Sequence, residues 1–297
     1  MKTKLIILTA IVSLVIVIYV SFLSRPPVLI ITDVSFIPLY GEDRARIEST
    51  IASIQLLRPV KAVMIADDVG ADIVQYAVSD ASLKPYCVIF PLRFAEAARI
   101  YKGSNPGVPV VILEGRYTEN ANPASFALES GSNNDYFLFR TDISADFYLA
   151  AQAAIAIDDG KNGRVAVFTE PAISSIAREA VLSVINEMEN PLITTFYTSF
   201  TQYSQNSETS CIIIAGTGNE FLENRSTVPV ILFSWLDPQL MPFNVVLMLN
   251  DSPFAQVTEI VKMAAARHYY GRIRSKPVVL QGADIEKEIL QKIKKIR

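Results

Sequence analysis

The stretch from Tyr136 to Met188, YFLFRTDISADFYLAAQAAIAIDDGKNGRVAVFTEPAISSIAREAVLSVINEM, constrains the fold more than any other part of the chain. Phe137 to Phe139 is a short apolar strand, and Ala145 to Ile157 repeats apolar residues at the three- and four-residue spacing of one helical face. Asp158 to Gly163 supplies turn residues that break the helix. Arg164 to Phe168 is an apolar, β-branched run bounded by Gly163 and Pro171, which predicts a strand buried on both faces. A helix over Ala172 to Met188 follows. Strands alternating with helices imply a parallel sheet covered on both sides.

Leu5 to Leu23 is a 19-residue run without a charge. As a helix it is about 28 Å long, close to the thickness of a bilayer's hydrocarbon core. Lys2 and Lys4 precede it and Arg25 follows, so the positive-inside rule puts the N-terminus in the cytoplasm and the body in the periplasm or cell exterior. A cleavable secretory signal has a shorter apolar core and small residues at its cleavage site, whereas this run ends in Ser-Phe-Leu-Ser-Arg-Pro-Pro. Residues 1–25 therefore read as an uncleaved signal-anchor, transmembrane over 5–23. They carry three positive charges and no negative ones, so the net charge of −3 becomes −6 for the body. An acidic body argues against nucleic acid as a partner.

The rest of the first half continues the alternation. Strands are expected at Val28 to Val34, Val60 to Ala66, Tyr86 to Phe90 and Val108 to Leu113, with helices at Glu42 to Leu57, about Gly70 to Ser79, and Phe94 to Tyr101. Residues 117–135, rich in Asn, Ser, Pro and Gly, read as a loop. Later strands are expected at Leu192 to Tyr197, Cys211 to Ala215, Val230 to Trp235, Val245 to Leu249 and Pro277 to Leu280. A helix over Pro253 to Tyr269 and a terminal helix from Asp284 complete the set. TSFTQYSQNSETS, between the first two of these strands, has no apolar face, so one crossover helix is expected to be missing. Cys87 and Cys211 fall in different halves and read as free buried thiols.

Two βα halves joined at a crossing strand, behind an export segment, resemble the type I periplasmic binding protein fold. The residues that carry the likeness are ITDVSF, FLFRTDISADFYLAAQAAI, GKNGRVAVF and FSWLDPQLMPFNVVLMLNDSPF, which follow the family's order of elements. Asp33, Ser35 and Phe36 resemble the start of the basic membrane lipoprotein branch, which includes nucleoside receptors. The resemblance implies an α/β protein of two lobes, each a parallel sheet flanked by helices. The N-terminal lobe would take residues 26–139 and 250–275, and the C-terminal lobe 140–249 and 276–297. It also implies a hinge, a small polar solute of the sugar or nucleoside class held between the lobes, and an ABC-type permease or membrane receptor as partner.

In open parallel sheets, ligands meet the carboxyl ends of the strands. That rule selects Asp33 and Phe36 after the first strand, Asp67 and Asp68 after the second, Pro91 and Arg93 after the third, and Glu114 and Arg116 after the fourth. In the second half it selects Arg140 and Asp142, Glu170, Thr217, Trp235 with Asp237, and Asp251. Several have an alternative reading. Asp67 and Asp68 can cap the next helix, and Asp251 likewise. Arg93 can be solvated at a helix start, Arg140 can pair with Asp142 as a hinge salt bridge, and Trp235, the only tryptophan, can be core packing.

One histidine, His268, and two scattered cysteines exclude a zinc cluster, a Ser/His/Asp arrangement and a Cys/His pair. AGTGNE lacks the glycines of a dinucleotide fingerprint and the lysine of a phosphate loop. No catalytic residue, metal or cofactor is expected. The C-terminal EKEILQKIKKIR is an amphipathic helix packed through Ile285, Ile289 and Ile293, with a basic face left for solvent or lipid. The sequence thus predicts a tethered solute-binding protein and no enzyme, with a sensor or scaffold ectodomain of degenerate cleft as the rival.

Overall fold

In the computed structural model, the described residues are 20–66, 69–82, 84–115, 136–160, 163–189, 191–199, 203, 209–216, 228–280 and 287–296. The segment 117–135, Asp67, Asp68, Arg116 and Thr217 lie outside them, as does the 5–23 run apart from its last four residues. Among the described residues no helix is long and apolar enough to cross a membrane.

The chain divides into two compact units, 1–113 with 132–138 and 257–270, and 114–131 with 139–256 and 271–297. The first half runs β1 (Val28–Asp33), α1 (Phe36–Tyr40), α2 (Glu42–Leu56), β2 (Val60–Ile65), α3 (Ala71–Ala81), β3 (Cys87–Pro91), α4 (Ala95–Ser104) and β4 (Val110–Glu114). Then come β5 (Phe137–Thr141), α5 (Ile143–Asp158), β6 (Arg164–Thr169), α6 (Ser174–Ile185), β7 (Ile193–Tyr197), β8 (Thr209–Ala215), β9 (Val230–Phe233) and β10 (Val245–Asn250). The chain closes with α7 (Pro253–Ala265), β11 (Tyr270–Ile273), β12 (Lys276–Val279) and α8 (Lys287–Lys295). Two six-stranded sheets result, ordered β11-β5-β4-β3-β1-β2 and β12-β10-β9-β8-β6-β7.

Continuous apolar runs become strands buried on both faces. In β6, Val165 and Val167 pack with Phe147, Val181 and Ile185 of α5 and α6, while Ala166 and Phe168 pack with Ile212, Ile214 and Met248 on the opposite face. β8 and β9 divide in the same way, Ile213 and Ile231 to the first face and Ile212 and Val230 to the second. In the first unit Leu29, Val63, Val88 and Val110 meet Val74, Val78, Phe94 and Tyr101 from α3 and the β3–α4 region. Asp142 starts α5 by accepting a hydrogen bond from Ala145 N at 3.2 Å, and Asp159, at φ 49°, ends it. Gly163 is required where it stands, because a Cβ there would meet Asp158 Oδ1 at 2.7 Å and Ser210 Cβ at 2.8 Å.

Three expectations need correction. The helix expected to Tyr269 ends at Ala265, and Tyr270–Ile273 is the strand β11. The apolar helical face stops at Ala264, Arg267 takes a left-handed φ of 58°, and β5 then recruits the following residues. Leu138 N donates to Tyr269 O and Asp142 N to Ile273 O, each at 2.8 Å, and the Phe137 and Tyr269 rings stack at 5.1 Å. Second, the second sheet is not wholly parallel, since β12 runs antiparallel to β10 at its edge. It follows β11 after two residues, with no crossover helix to impose direction. Third, α1 was not legible in VSFIPLY. The crossover expected to lack a helix falls largely outside the described residues. Of that segment Tyr203 is described, and its ring packs against Phe168 at 5.4 Å and Tyr197 at 5.6 Å.

β12 is fastened through Asp146, which is buried in α5. Its Oδ1 accepts from Ser275 N at 3.0 Å and its Oδ2 from the Ser275 hydroxyl. Removing a buried carboxyl that accepts two hydrogen bonds takes that partner from both donors. Asp146→Ala is therefore expected to destabilise the protein by about 3 kcal/mol, read from urea unfolding, with Ser275→Ala costing less.

Candidate functional site

Parallel strands emit their following residues on one rim, so the positions selected from the sequence gather at the carboxyl ends within each unit. In the first unit, β1 and β3 pair with Val28 opposite Cys87 and Ile30 opposite Ile89. The same register carries Asp33 to the level of Leu92, beside Arg93. Asp33 Oδ2 meets Arg93 Nη1 at 2.8 Å, and Asp33 Oδ1 accepts from the Ser35 hydroxyl. Arg93 is not merely solvated, because its guanidinium also lies 4.5 Å from the centre of the Phe94 ring. Phe36, half-buried, stacks on Tyr40 at 5.2 Å. Gly70 holds the N-cap position of α3, where Asp67 and Asp68 had been considered.

In the second unit, Arg140 pairs with Glu114 at 3.0 Å, which replaces the expected salt bridge with Asp142. The reason is lateral: β4 and β5 are neighbours in the sheet, whereas the Asp142 carboxylate is taken by the α5 amide of Ala145. The capping alternative for Asp251 also fails, since Ser252 Oγ accepts from Ala255 N at 3.1 Å at the start of α7. Asp251 Oδ2 instead lies 3.5 Å from the Thr141 hydroxyl. Glu170 packs beside Gly216, where a Cβ would meet Glu170 Cγ at 2.5 Å, so the glycine at φ 104° leaves room for that carboxylate. Trp235 and Asp237 are half-buried, and Asp237 accepts from Gln239 N at 2.9 Å. Thr217 lies outside the described residues. Ser35 entered the sequence reading only through the resemblance, and Thr141 was not selected, its signal being adjacency to Arg140 at a strand end.

The strand ends also hold polar atoms in an apolar setting. Among the described residues, the Thr32 and Thr169 hydroxyls are buried with no hydrogen-bond partner. Glu114 is 1% exposed. Neither of its oxygens receives a well-directed hydrogen bond from the described residues, Arg140 meeting it as an ion pair. Burial pushes the Glu114 carboxyl above the usual carboxylate range, and the Arg140 charge only partly opposes that. Buried polar atoms without partners are uncommon, and Thr32, Glu114 and Thr169 place theirs at the ends of β1, β4 and β6. Among the described residues no group of three or more His, Cys, Asp and Glu could hold a metal ion.

No protein-family model matches the chain, and no curated protein does. Solved structures do. An ABC transporter periplasmic solute-binding protein from Actinobacillus succinogenes 130z with bound D-allose is similar over 90% of this chain and 99% of its own, at 15% identity and a TM-score of 0.51. An ABC transporter solute-binding protein from Conexibacter woesei DSM 14684 is similar over 91% of this chain and 94% of its own, at 9% identity and a TM-score of 0.55. The chain thus has the type I periplasmic binding protein fold. The nucleoside-receptor branch receives no separate support.

Glu114 also gives the fold a pH signature. Its folded-state pKa lies above the ordinary 4.5, so its contribution to stability is fully present below pH 4.5 and is lost as pH rises through the folded value. Melting temperature measured against pH for the wild type and Glu114→Gln should show this decline in the wild type alone. Parallel profiles would exclude it.

Proposed function

We propose that this protein is a membrane-tethered, extracytoplasmic solute-binding protein that takes a small polar solute of the sugar class for an ABC-type permease. The observation that carries the reading is the concentration of charged, hydroxyl and aromatic side chains at the carboxyl ends of the strands in both units. Asp33 with Arg93, and Glu114 with Arg140, offer acceptors and planar donors at fixed spacing. Sugar hydroxyls donate and accept together, which such pairs satisfy. The half-buried Trp235 and Phe36 supply faces for the apolar side of a sugar ring. The D-allose bound by the Actinobacillus protein supports the ligand class. The proposed contacts keep Asp33, Phe36, Arg93, Glu114, Arg140, Asp142, Glu170, Trp235, Asp237 and Asp251, with Asp67 and Thr217 on the same strand-end rule. No reaction is proposed.

The 5–23 run is proposed as the tether, with the body in the periplasm or cell exterior. One observation favours the scaffold or sensor alternative: the strongest charges at the rims are already paired with each other.

A solute separates the two. Full-length protein in detergent, screened against aldohexoses, pentoses, nucleosides and amino acids, should melt higher with a sugar. A solute at a hundred times its Kd adds about 2.7 kcal/mol of stability. Trp235 emission should change with the same midpoint. Arg93→Ala should weaken binding by roughly tenfold to a hundredfold, the worth of a charge-assisted hydrogen bond. A folded sample that shifts with none of these solutes establishes the alternative.

A further inference from the structure

Helix α2 is built inside out. The residues it buries are Ala45 and Ala52, while Ile47, Ile51 and Ile54 stand 56%, 45% and 65% exposed along one face, followed by Leu57 at 60%. The spacing of four and three residues keeps the isoleucines in one stripe. Leu57 closes the helix in the left-handed region, at φ 52° and ψ 36°, where glycine is favoured and an exposed leucine gains nothing for the fold. These side chains are therefore open to a surface other than the protein's own core.

The position of the stripe identifies that surface. β1 to β4 are parallel, so their amino ends share one rim. The end of α2 lies on that rim, just ahead of β2. The apolar run arrives there too. Val20 to Leu23, the described end of the run, form a helical turn closed by Ser24 N donating to Val20 O at 3.0 Å. Arg25 then donates to Leu57 O at 2.8 Å, and Arg58 returns a bond to Pro26 O at 3.2 Å while stacking 3.5 Å from the centre of the Tyr86 ring. Four residues, Ser24 to Pro27, separate the run from β1, a span of at most about 14 Å. Wherever the run ends, this rim is held beside it. Its charge is mainly positive, from Arg25, Arg58 and Lys84, with Asp80 opposing them.

We propose that this amino-end rim, through Ile54, Leu57, Arg25, Arg58 and Lys84, rests on the surface of an anionic lipid bilayer into which the 5–23 run is inserted. The inference depends on the tether reading above. Apolar side chains flanked by basic ones enter the interface between headgroups and acyl chains, and the arginines meet lipid phosphates. Strand polarity then turns the carboxyl-end rim of the same unit away from the membrane, about 20 Å off at the rise of the six-residue β1.

The test uses the full chain with single reporter cysteines. Cys87 and Cys211 are buried, and burial pushes the Cys87 thiol up to about 12, so neither competes for label. Ile54→Cys and, at the opposite rim, Val34→Cys are each labelled with an environment-sensitive fluorophore. Each is reconstituted in phosphatidylcholine vesicles containing phosphatidylglycerol, with acyl chains brominated as quenchers. The expected result is that both proteins float with the vesicles and that the probe at position 54 is quenched by roughly twofold or more over that at position 34. Flotation with equal quenching overturns the rim contact and leaves the tether standing. Failure to float overturns both. Shielding at position 54 that follows protein concentration in lipid-free micelles would assign the stripe to a second copy and overturn the proposal. Equal quenching on purely zwitterionic vesicles would remove the part given to Arg25, Arg58 and Lys84.

Discussion

The parallel backbone ladder is the constraint on which the rest of this structure depends. Because every strand from β1 to β4 points the same way, each chain exit lies on one rim and each chain entry on the other. Side chains that follow strands far apart in sequence then become neighbours without any local signal. Asp33 and Arg93 are sixty residues apart, and lateral pairing of β1 with β3 brings them to 2.8 Å. The second sheet repeats this with β6 and β8, whose register ends at Thr169 opposite Ala215 and so sets Glu170 against Gly216. The sheet faces are spent on core packing, which leaves the rims as the places where polar chemistry can be displayed.

Displaying it has a thermodynamic cost that is visible at Glu114. A carboxylate that is 1% exposed and faces one guanidinium is held at the limit of what the ion pair can offset. Desolvation exceeds the attraction, which is why its proton affinity rises. Asp146 is as deeply buried but accepts from both the amide and the hydroxyl of Ser275. One buried acid secures the fold; the other is kept incompletely satisfied at a strand end.

Much of the architecture was legible because it is written in period. VLIITD, CVIF and RVAVF have no polar face, so they predict strands buried on both sides, and the alternation of Val165 and Ala166 between two packing layers realises that. β11 was not legible, because YGRI is a four-residue edge whose identity comes from the exposed side of β5 rather than from its own pattern. The unit boundaries at 113/114, 138/139 and 270/271 fall inside the strands β4, β5 and β11, so three strands are divided between the units. At the rims, strand-end position selected Asp33, Arg93, Glu114 and Asp251 as candidates, but their partners could not be assigned. Asp142 and Arg140 are close in sequence, which favoured pairing them, yet the α5 amide and the neighbouring strand claimed one each.

Helix α2 illustrates why exposure has to be weighed against what holds an element in place. Two alanines bury too little area to dock fifteen residues firmly, at about 25 cal/mol per Å² of apolar surface. Polar ties supply the rest. The Tyr40 hydroxyl of α1 donates to Glu48, Arg44 lies 4.4 Å from the centre of the Tyr40 ring, and Thr258 of α7 donates to Gln55 at 2.9 Å. Such contacts fix orientation as well as attachment, because each has a direction. They hold the alanine face toward β2 and so commit the isoleucine face to the outside. A helix free to roll could turn Ile47, Ile51 and Ile54 inward. The side-chain hydrogen bonds on its flanks are what prevent it, and a surface that costs stability to keep exposed is retained for contact with something beyond the unit itself.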